Sequence, residues 1–293
     1  MPAAQECAGA PRDLGRDQGA AARALVRARV GGRGWRRALD RAGVCGRPLS
    51  RWRRDLRRHF PHQHEWLEGV ARGAGVPDLA LLRAATLELA RERDALLVGV
   101  EAGSDARVWR SGAPDTVLRR VRPEGRLVSL ELASPVLACP WIGVNEAGLA
   151  VATTGGDVAD GGVQPALLAR DCLERFERVE SALDWCLLRP VAADTAILLA
   201  DAHGELAGID FGTTARSVRR PAAGAIVLGG SRAAAVAKAV SGAGGSPPAV
   251  EAALRRALGD AAAAAAAHAA PATRSLRPAS GDAALRVESE SSG

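Results

Sequence analysis

The sequence predicts an α+β layered domain, and three observations predict it. Apolar residues recur at helical spacing between residues 12 and 89. From residue 94 to 154 the pattern changes to short apolar runs separated by turn residues, the mark of sequential antiparallel strands. A second helical stretch over 163–189 is then followed by further strand pairs. No repeat of fixed period is present. A chain of 293 residues can bury a sizeable core. The expected organisation is one domain over residues 11–287, with a helical part at 11–93 and a sheet-rich part at 94–287, between disordered ends at 1–10 and 288–293.

The elements follow in order. Ala21, Leu25, Val26 and Val30 define a helical stretch over about residues 12–41, interrupted by "VGGRG" at 30–34. A second covers about residues 49–60, and Pro61 either breaks the chain or opens a new helix in its first turn. "PHQHEWLEGVARGAGVPDLALLRAATLEL" (61–89) reads as two helices, the first ended by "RGAGVP" and the second capped by Asp78. "LLVGVEAGSDARVW" is a hairpin with Gly103, Ser104 and Asp105 in its turn. "TVLRRVRP", "RLVSLELA" and "CPWIGVNEAGLAVATT" continue the strands, with turns at "GAPD", "PEG" and "NEAG". Leu167, Leu168, Cys172, Phe176 and Val179 place a helix after residue 163, and Ser181 is a candidate cap for the next. "TAILLADAHGELAGIDFG" is a hairpin turning at 201–204, and "SVRRPAAGAIVLGGS" adds two strands. "SGAGGSPP" (241–248) is a connector, the alanine-rich 249–270 is helix-prone, and "TRSLRPASGDAALRVES" is a last hairpin.

Composition excludes several function classes. The net charge is +6, but arginine is abundant throughout and intermixed with acids. The densest basic patch, "RWRRDLRRHF" (51–60), lacks any accompanying zinc-finger or RNA-binding aromatic motif, so no nucleic acid is expected. Five cysteines at wide spacing, with no CxxC, argue against a disulfide scaffold and a structural zinc site. His59, His62 and His64 do not match H-E-x-x-H, and two residues apart on a helix they diverge. No metal or cofactor is expected. The N-terminus has no apolar signal core, and no uncharged apolar run of about 18 residues occurs, so the expected compartment is the cytoplasm, with no membrane partner. GxGxxG, Walker and GxSxG motifs are all missing. Cys139, before Pro140 and Trp141, is a candidate reactive thiol, whereas Cys172 and Cys186 read as core residues.

Four blocks carry a family resemblance: "PRDLGRDQGAA", "HFPHQHEWLEGVARGAGVPDLALLRAATLEL", "RPEGRLVSLELASPVLACPWIGVNEAGLAV" and "TAILLADAHGELAGIDF". In order and spacing the chain resembles, over residues 11–232, the acyl-coenzyme A:6-aminopenicillanic acid acyltransferase family of cysteine-nucleophile amidohydrolases. The resemblance implies an N-terminal-nucleophile hydrolase-like αββα sandwich: two antiparallel sheets between helical layers. It also implies self-cleavage before a cysteine that opens the first strand, whose thiol attacks an amide or thioester carbonyl with its own α-amine as base. Here Asp94 and Ala95 stand in that place. An aspartate supplies no thiolate, and an N→S acyl shift needs sulfur. "RSGAPD", "DTAILLAD" and "LGGSR" also depart from the family's Asn-x-Asp, Asn and Thr-Asn-His. The resemblance makes Ala95, Cys139, Trp141 and Asn145 candidate pocket residues beside Asp94.

Three functional readings follow. The first is a catalytically degenerate family member that binds an acyl-amide, peptide-like or acyl-CoA ligand. The second is an active amide hydrolase or acyl-CoA-dependent N-acyltransferase with a displaced nucleophile at Cys139, Ser104 or Asp94. The third is a non-catalytic interaction protein acting through the arginine-rich helix at 51–58. Subunit interfaces leave no mark in the sequence.

Overall fold

The computed structural model describes residues 4–31, 47–102, 105–111, 116–156, 164–189, 191, 194–212, 215–222, 224–230, 233–241, 249, 252, 264–269, 274–277 and 285–287. Several expectations lie outside these residues: the glycine break after Gly31, Cys45, the turn residues Gly103 and Ser104, "GAPD" (112–115), the connector 242–248 and the tail 288–293. The described chain builds four layers, helix–sheet–sheet–helix, the αββα arrangement that the resemblance implies.

The outer helical layer holds α1 (Pro11–Ala21), α2 (Arg23–Gly31), α3 (Arg47–His59), α4 (Pro61–Ala74), α5 (Asp78–Arg91), α6 (Pro165–Arg175) and α7 (Val179–Leu187). It covers an eight-stranded sheet of order β1 (Gln5–Gly9), β4 (Val117–Pro123), β5 (Ser129–Ala133), β6 (Ile142–Asn145), β7 (Ala150–Thr153), β8 (Thr195–Ala200), β9 (Leu206–Phe211) and β10 (Arg216–Arg219). A six-stranded sheet lies against its other face, in the order β11 (Ala225–Leu228), β2 (Leu97–Ala102), β3 (Asp105–Ser111), β12 (Ala264–Ala269), β13 (Arg274–Arg277) and β14 (Leu285–Val287). Helix α8 (Ala233–Ser241) closes the stack. The period-two alternation of strands assigns the layers. In β8, Ile197 and Leu199 join the helix-facing core, while Ala196, Leu198 and Ala200 join the core between the sheets. In β2, Leu97 faces the first sheet, while Val98 and Val100, with Leu96 just before the strand, pack with Val236 and Val240 of α8.

Local signals fix many boundaries. Pro61 opens α4 at its first position, and Gly75 ends it in the left-handed region at φ 68°. Other expectations are corrected. Residues 5–9 are not loose: β1 pairs in parallel with β4, burying Cys7, so the sheets are antiparallel except at this edge. Asp78 is the first residue of α5 and makes no capping bond; Pro77 precedes the helix, and the acid sits in its first turn. α7 starts before Ser181, because the buried carboxylate of Asp201, in the β8–β9 turn, accepts the Val179 amide at 3.0 Å. Part of the alanine-rich stretch is a strand rather than a helix, because β12 completes the open edge of β3. α8 had no counterpart in the sequence reading.

The helical layer is tied to the sheet by a buried ionic centre. The Glu131 carboxylate accepts Arg119 Nε at 2.8 Å, Arg170 Nη2 at 2.5 Å and the Ser129 hydroxyl. Arg119 also donates to Gln18 Oε1 and to the carbonyls of Leu137 and Ala138. Both guanidiniums lie over the Trp66 ring, whose Nε1 donates to Gln18 Oε1 at 2.8 Å. Burial alone would raise the Glu131 pKa; Arg170 and Arg119 outweigh it and hold the carboxyl below its ordinary value.

Candidate active site

Position 94 follows α5 in a turn closed by the Ala95 amide on the Glu92 carbonyl at 3.3 Å. Strand pairing begins two residues later, where Ser111 Oγ accepts the Leu96 amide and the Ser111 amide donates to the Leu96 carbonyl. Asp94 therefore precedes β2 instead of opening it, because the helix exit needs a full turn before the chain can extend. The Asp94 carboxylate is 76% exposed and lies 3.8 Å from Arg93 Nε. The backbone here is pinned from above. Gly229 (φ 72°) and Gly230 (φ 57°) form a left-handed pair after β11. A Cβ on Gly229 would lie 2.5 Å from the Ala95 carbonyl oxygen, and one on Gly230 2.8 Å from that of Asp94.

Beside this turn opens a cleft of about 550 Å³. Arg93, Thr154, Asp194, Thr195, Asp210 and Arg219 contribute its polar rim, and the β11 stretch with Ala233 and Ala237 of α8 forms the apolar wall. Asp194 turns the chain into β8 in the left-handed region (φ 57°), a conformation aspartate tolerates better than most non-glycine residues. Asp210 sits on β9 opposite Ala196 and Ser217, and Arg219 closes β10. Arg220 is engaged by Glu180 at 2.6 Å and Glu205 at 3.8 Å. Asp194, Asp210 and Arg219 form no ion pair among the described residues. The cleft thus offers both signs of charge against an apolar wall.

Behind the turn lies Arg110, which the sequence reading missed. On β3 it shares the inward face of Ala106 and Val108 and is 1% exposed. Nε donates to the Thr153 carbonyl at 2.7 Å, Nη1 to the Ser111 carbonyl at 3.1 Å and Nη2 to Glu92 Oε2 at 2.9 Å. The guanidinium lies 4.6 Å from the Trp141 ring centroid. The Glu92 carbonyl meanwhile accepts the Gly155 amide at 2.8 Å. Nε and Nη2 tie the 92–95 turn to the end of β7, while Nη1 holds the end of β3. A charged residue at an inward strand position was the available signal.

The other sequence candidates fall apart in space. Ala95 is 6% exposed and lies beneath the glycine pair rather than lining the cleft. Trp141 is not among the residues lining the cleft, and its ring is covered by the Arg110 guanidinium. Cys139 is fully buried near Arg119 and Arg170, and burial pushes its thiol up to about 12. Cys7, likewise buried, is pushed up to about 11. Asn145 is a turn residue at the far end of β6 from Trp141, roughly 13 Å along the strand. Its Oδ1 accepts the Leu149 amide, and its Nδ2 donates to the Leu173 and Phe176 carbonyls. Ser104 lies outside the described residues. His62 bonds Asp171 at 2.7 Å and His64 faces Glu68 at 3.5 Å, so the histidines serve separate local contacts. Among the described residues no group of three or more His, Cys, Asp or Glu could hold a metal ion, and no helix is long and apolar enough to cross a membrane.

No family model and no curated protein matches the chain. Among solved structures it is similar to a Caenorhabditis elegans N-acylethanolamine-hydrolyzing acid amidase ortholog, at 11% identity and TM-score 0.46, covering 58% of this chain and 91% of that one. It is also similar to penicillin V acylase from Agrobacterium tumefaciens, at 12% identity and TM-score 0.45, covering 66% and 86%. A variant of conjugated bile acid hydrolase from Clostridium perfringens matches at 10% identity and TM-score 0.43, covering 66% and 92%.

Proposed function

We propose that the chain is a catalytically degenerate relative of the cysteine-nucleophile amidohydrolases, and that its cleft binds an acyl-amide or peptide-like ligand without cleaving it. One observation carries this reading: the place that the resemblance assigns to the nucleophile holds the solvent-exposed carboxylate of Asp94. The described cysteines cannot replace it, since Cys7, Cys139, Cys172 and Cys186 are all fully buried. A thiol acts as a nucleophile through its thiolate, and burial at Cys139 and Cys7 opposes that form. The cleft itself suits an amide ligand. Its apolar wall accepts an acyl chain, while Asp194, Asp210 and Arg219 offer charged partners for the amide and its polar end.

The test is to incubate the full chain with acyl-CoA thioesters and with acyl amides, then to measure intact mass and product release. The expected result is one uncut chain of unchanged mass, near 30.2 kDa, and no turnover above the protein-free rate. A stable acyl adduct, or turnover that Asp94→Ala removes, would overturn the reading.

A further inference from the structure

Cys172 on α6 and Cys186 on α7 face each other with their sulfurs 3.5 Å apart, and neither is exposed. A disulfide bond is about 2.05 Å long, so the sulfurs must approach by roughly 1.5 Å from the observed 3.5 Å. The surrounding contacts hold the pair in register. The Phe176 and Trp185 rings pack 5.9 Å apart across the two helices. Arg175 and Arg189 lie 5.0 Å and 3.5 Å from the Trp185 ring centroid. Asp201 fixes the start of α7 through the Val179 amide. Among the described cysteines no other sulfur pair is in contact. The proposed ligand site makes no use of these thiols.

We propose that Cys172 and Cys186 form a latent, reversible disulfide that staples α6 to α7 when the protein meets hydrogen peroxide. In the first step one thiolate attacks a peroxide oxygen. The O–O bond breaks, hydroxide leaves, and the sulfur becomes a sulfenic acid. In the second step the other thiolate attacks that sulfur, the S–S bond forms and water leaves after proton transfer. Two thiols and one peroxide become one disulfide and two waters; the sulfurs are oxidised and the peroxide is reduced. At rest the pair is unreactive. Hydrogen bonding with Cys186, and then burial, push the Cys172 thiol well above its ordinary 9.0, so reaction proceeds through transient separation of the helices. Once formed, the bond closes the loop spanning residues 172–186. It thereby restrains α7, which ends at Leu187, seven residues before Asp194 at the cleft rim.

The experiment treats the full chain with hydrogen peroxide, blocks remaining thiols under denaturing conditions and maps the non-reduced tryptic peptides. The expected product joins residues 171–175 to the peptide that starts at Val179, is lighter by two hydrogens and separates on reduction. The melting temperature of the oxidised chain should rise by roughly 5 °C. Cys172→Ala and Cys186→Ala should each abolish the linked peptide, whereas Cys139→Ala should retain it. Recovery of Cys172 and Cys186 as blocked thiols after treatment, or linkage of either to a different cysteine, would overturn the proposal. Mapping the unsubstituted chain keeps the test decisive if a variant folds poorly.

Discussion

Glu131→Gln is expected to destabilise the protein by about 3–5 kcal/mol, because it leaves two guanidiniums buried against a neutral amide. Arg119 and Arg170 are each 0% exposed, and Glu131 is the acid both of them contact at 2.8 Å or closer. Among the described residues, the other carboxylate paired with Arg170 is Glu174 at 3.5 Å, and burial raises the pKa of that acid. The remaining partners of Arg119 are carbonyls and Gln18, which are dipoles and cannot neutralise it. Denaturant unfolding of the variant and the unsubstituted chain measures the loss directly. The same contact carries a pH signature. The folded pKa of Glu131 lies below its ordinary value of 4.5, so its contribution is present above pH 4.5 and is lost as pH falls through the folded value. Glu131→Gln should remove that segment of the acid-induced loss.

Gly15→Ala is expected to cost about 3 kcal/mol, although alanine is the better helix former. The reason is the approach of α1 to α4. "GRDQG" (15–19) on α1 meets "GVARG" (69–73) on α4, glycine row against glycine row. A Cβ on Gly15 would lie 1.9 Å from the Trp66 carbonyl oxygen, and one on Gly19 2.3 Å from that of Val70. The relation is reciprocal: Cβ atoms on Gly69 and Gly73 would lie 2.2 Å and 2.3 Å from the carbonyl oxygens of Arg12 and Arg16. All four obstacles are backbone, so no side chain can swing aside. The helices would have to separate, and Trp66 and Gln18, which anchor the ionic centre, would move with them. Gly31→Ala is the internal control. No atom of the described residues lies within 4 Å of its added Cβ, so the exchange should be neutral or stabilising by up to about 1 kcal/mol. Equal losses at Gly15 and Gly31 would show that helix packing is not the cause.

Legibility in the sequence followed the range of the interactions. The β2–β3 hairpin was readable from the Leu97–Val100 run and Trp109, because its pairing is local. The α4–α5 pair was readable because Pro61 and Gly75 punctuate the backbone directly. β1 was not readable, since Cys7 pairs with Val121 in parallel and five short residues carry no trace of that distant partner. The strand at Ala264–Ala269 was misread because alanine favours helix in isolation, while the open edge of β3 decides its state in the fold. The site shows the same division. Position 94 was located from its place after α5, but Asp194, Asp210 and Arg219 belong to separate strand ends that only the sheet brings to one cleft. Asn145 was a pocket candidate through the resemblance alone; its side chain is used up within its turn and on α6.

The central claim is that the whole catalytic arrangement has gone, and not the sulfur alone. Self-cleavage at this place would need a thiol at residue 94 to attack the Arg93 carbonyl, with donors to hold the resulting oxyanion. The side chain at 94 instead points to solvent beside Arg93, the Ala95 amide is spent on the Glu92 carbonyl, and Arg110 is engaged by Thr153, Ser111 and Glu92. Intact mass spectrometry of purified Asp94→Cys therefore tests the claim most directly. The account predicts a single uncut chain. Clean scission into residues 1–93 and 94–293 would contradict it, because the remaining site would then have been intact around one missing atom.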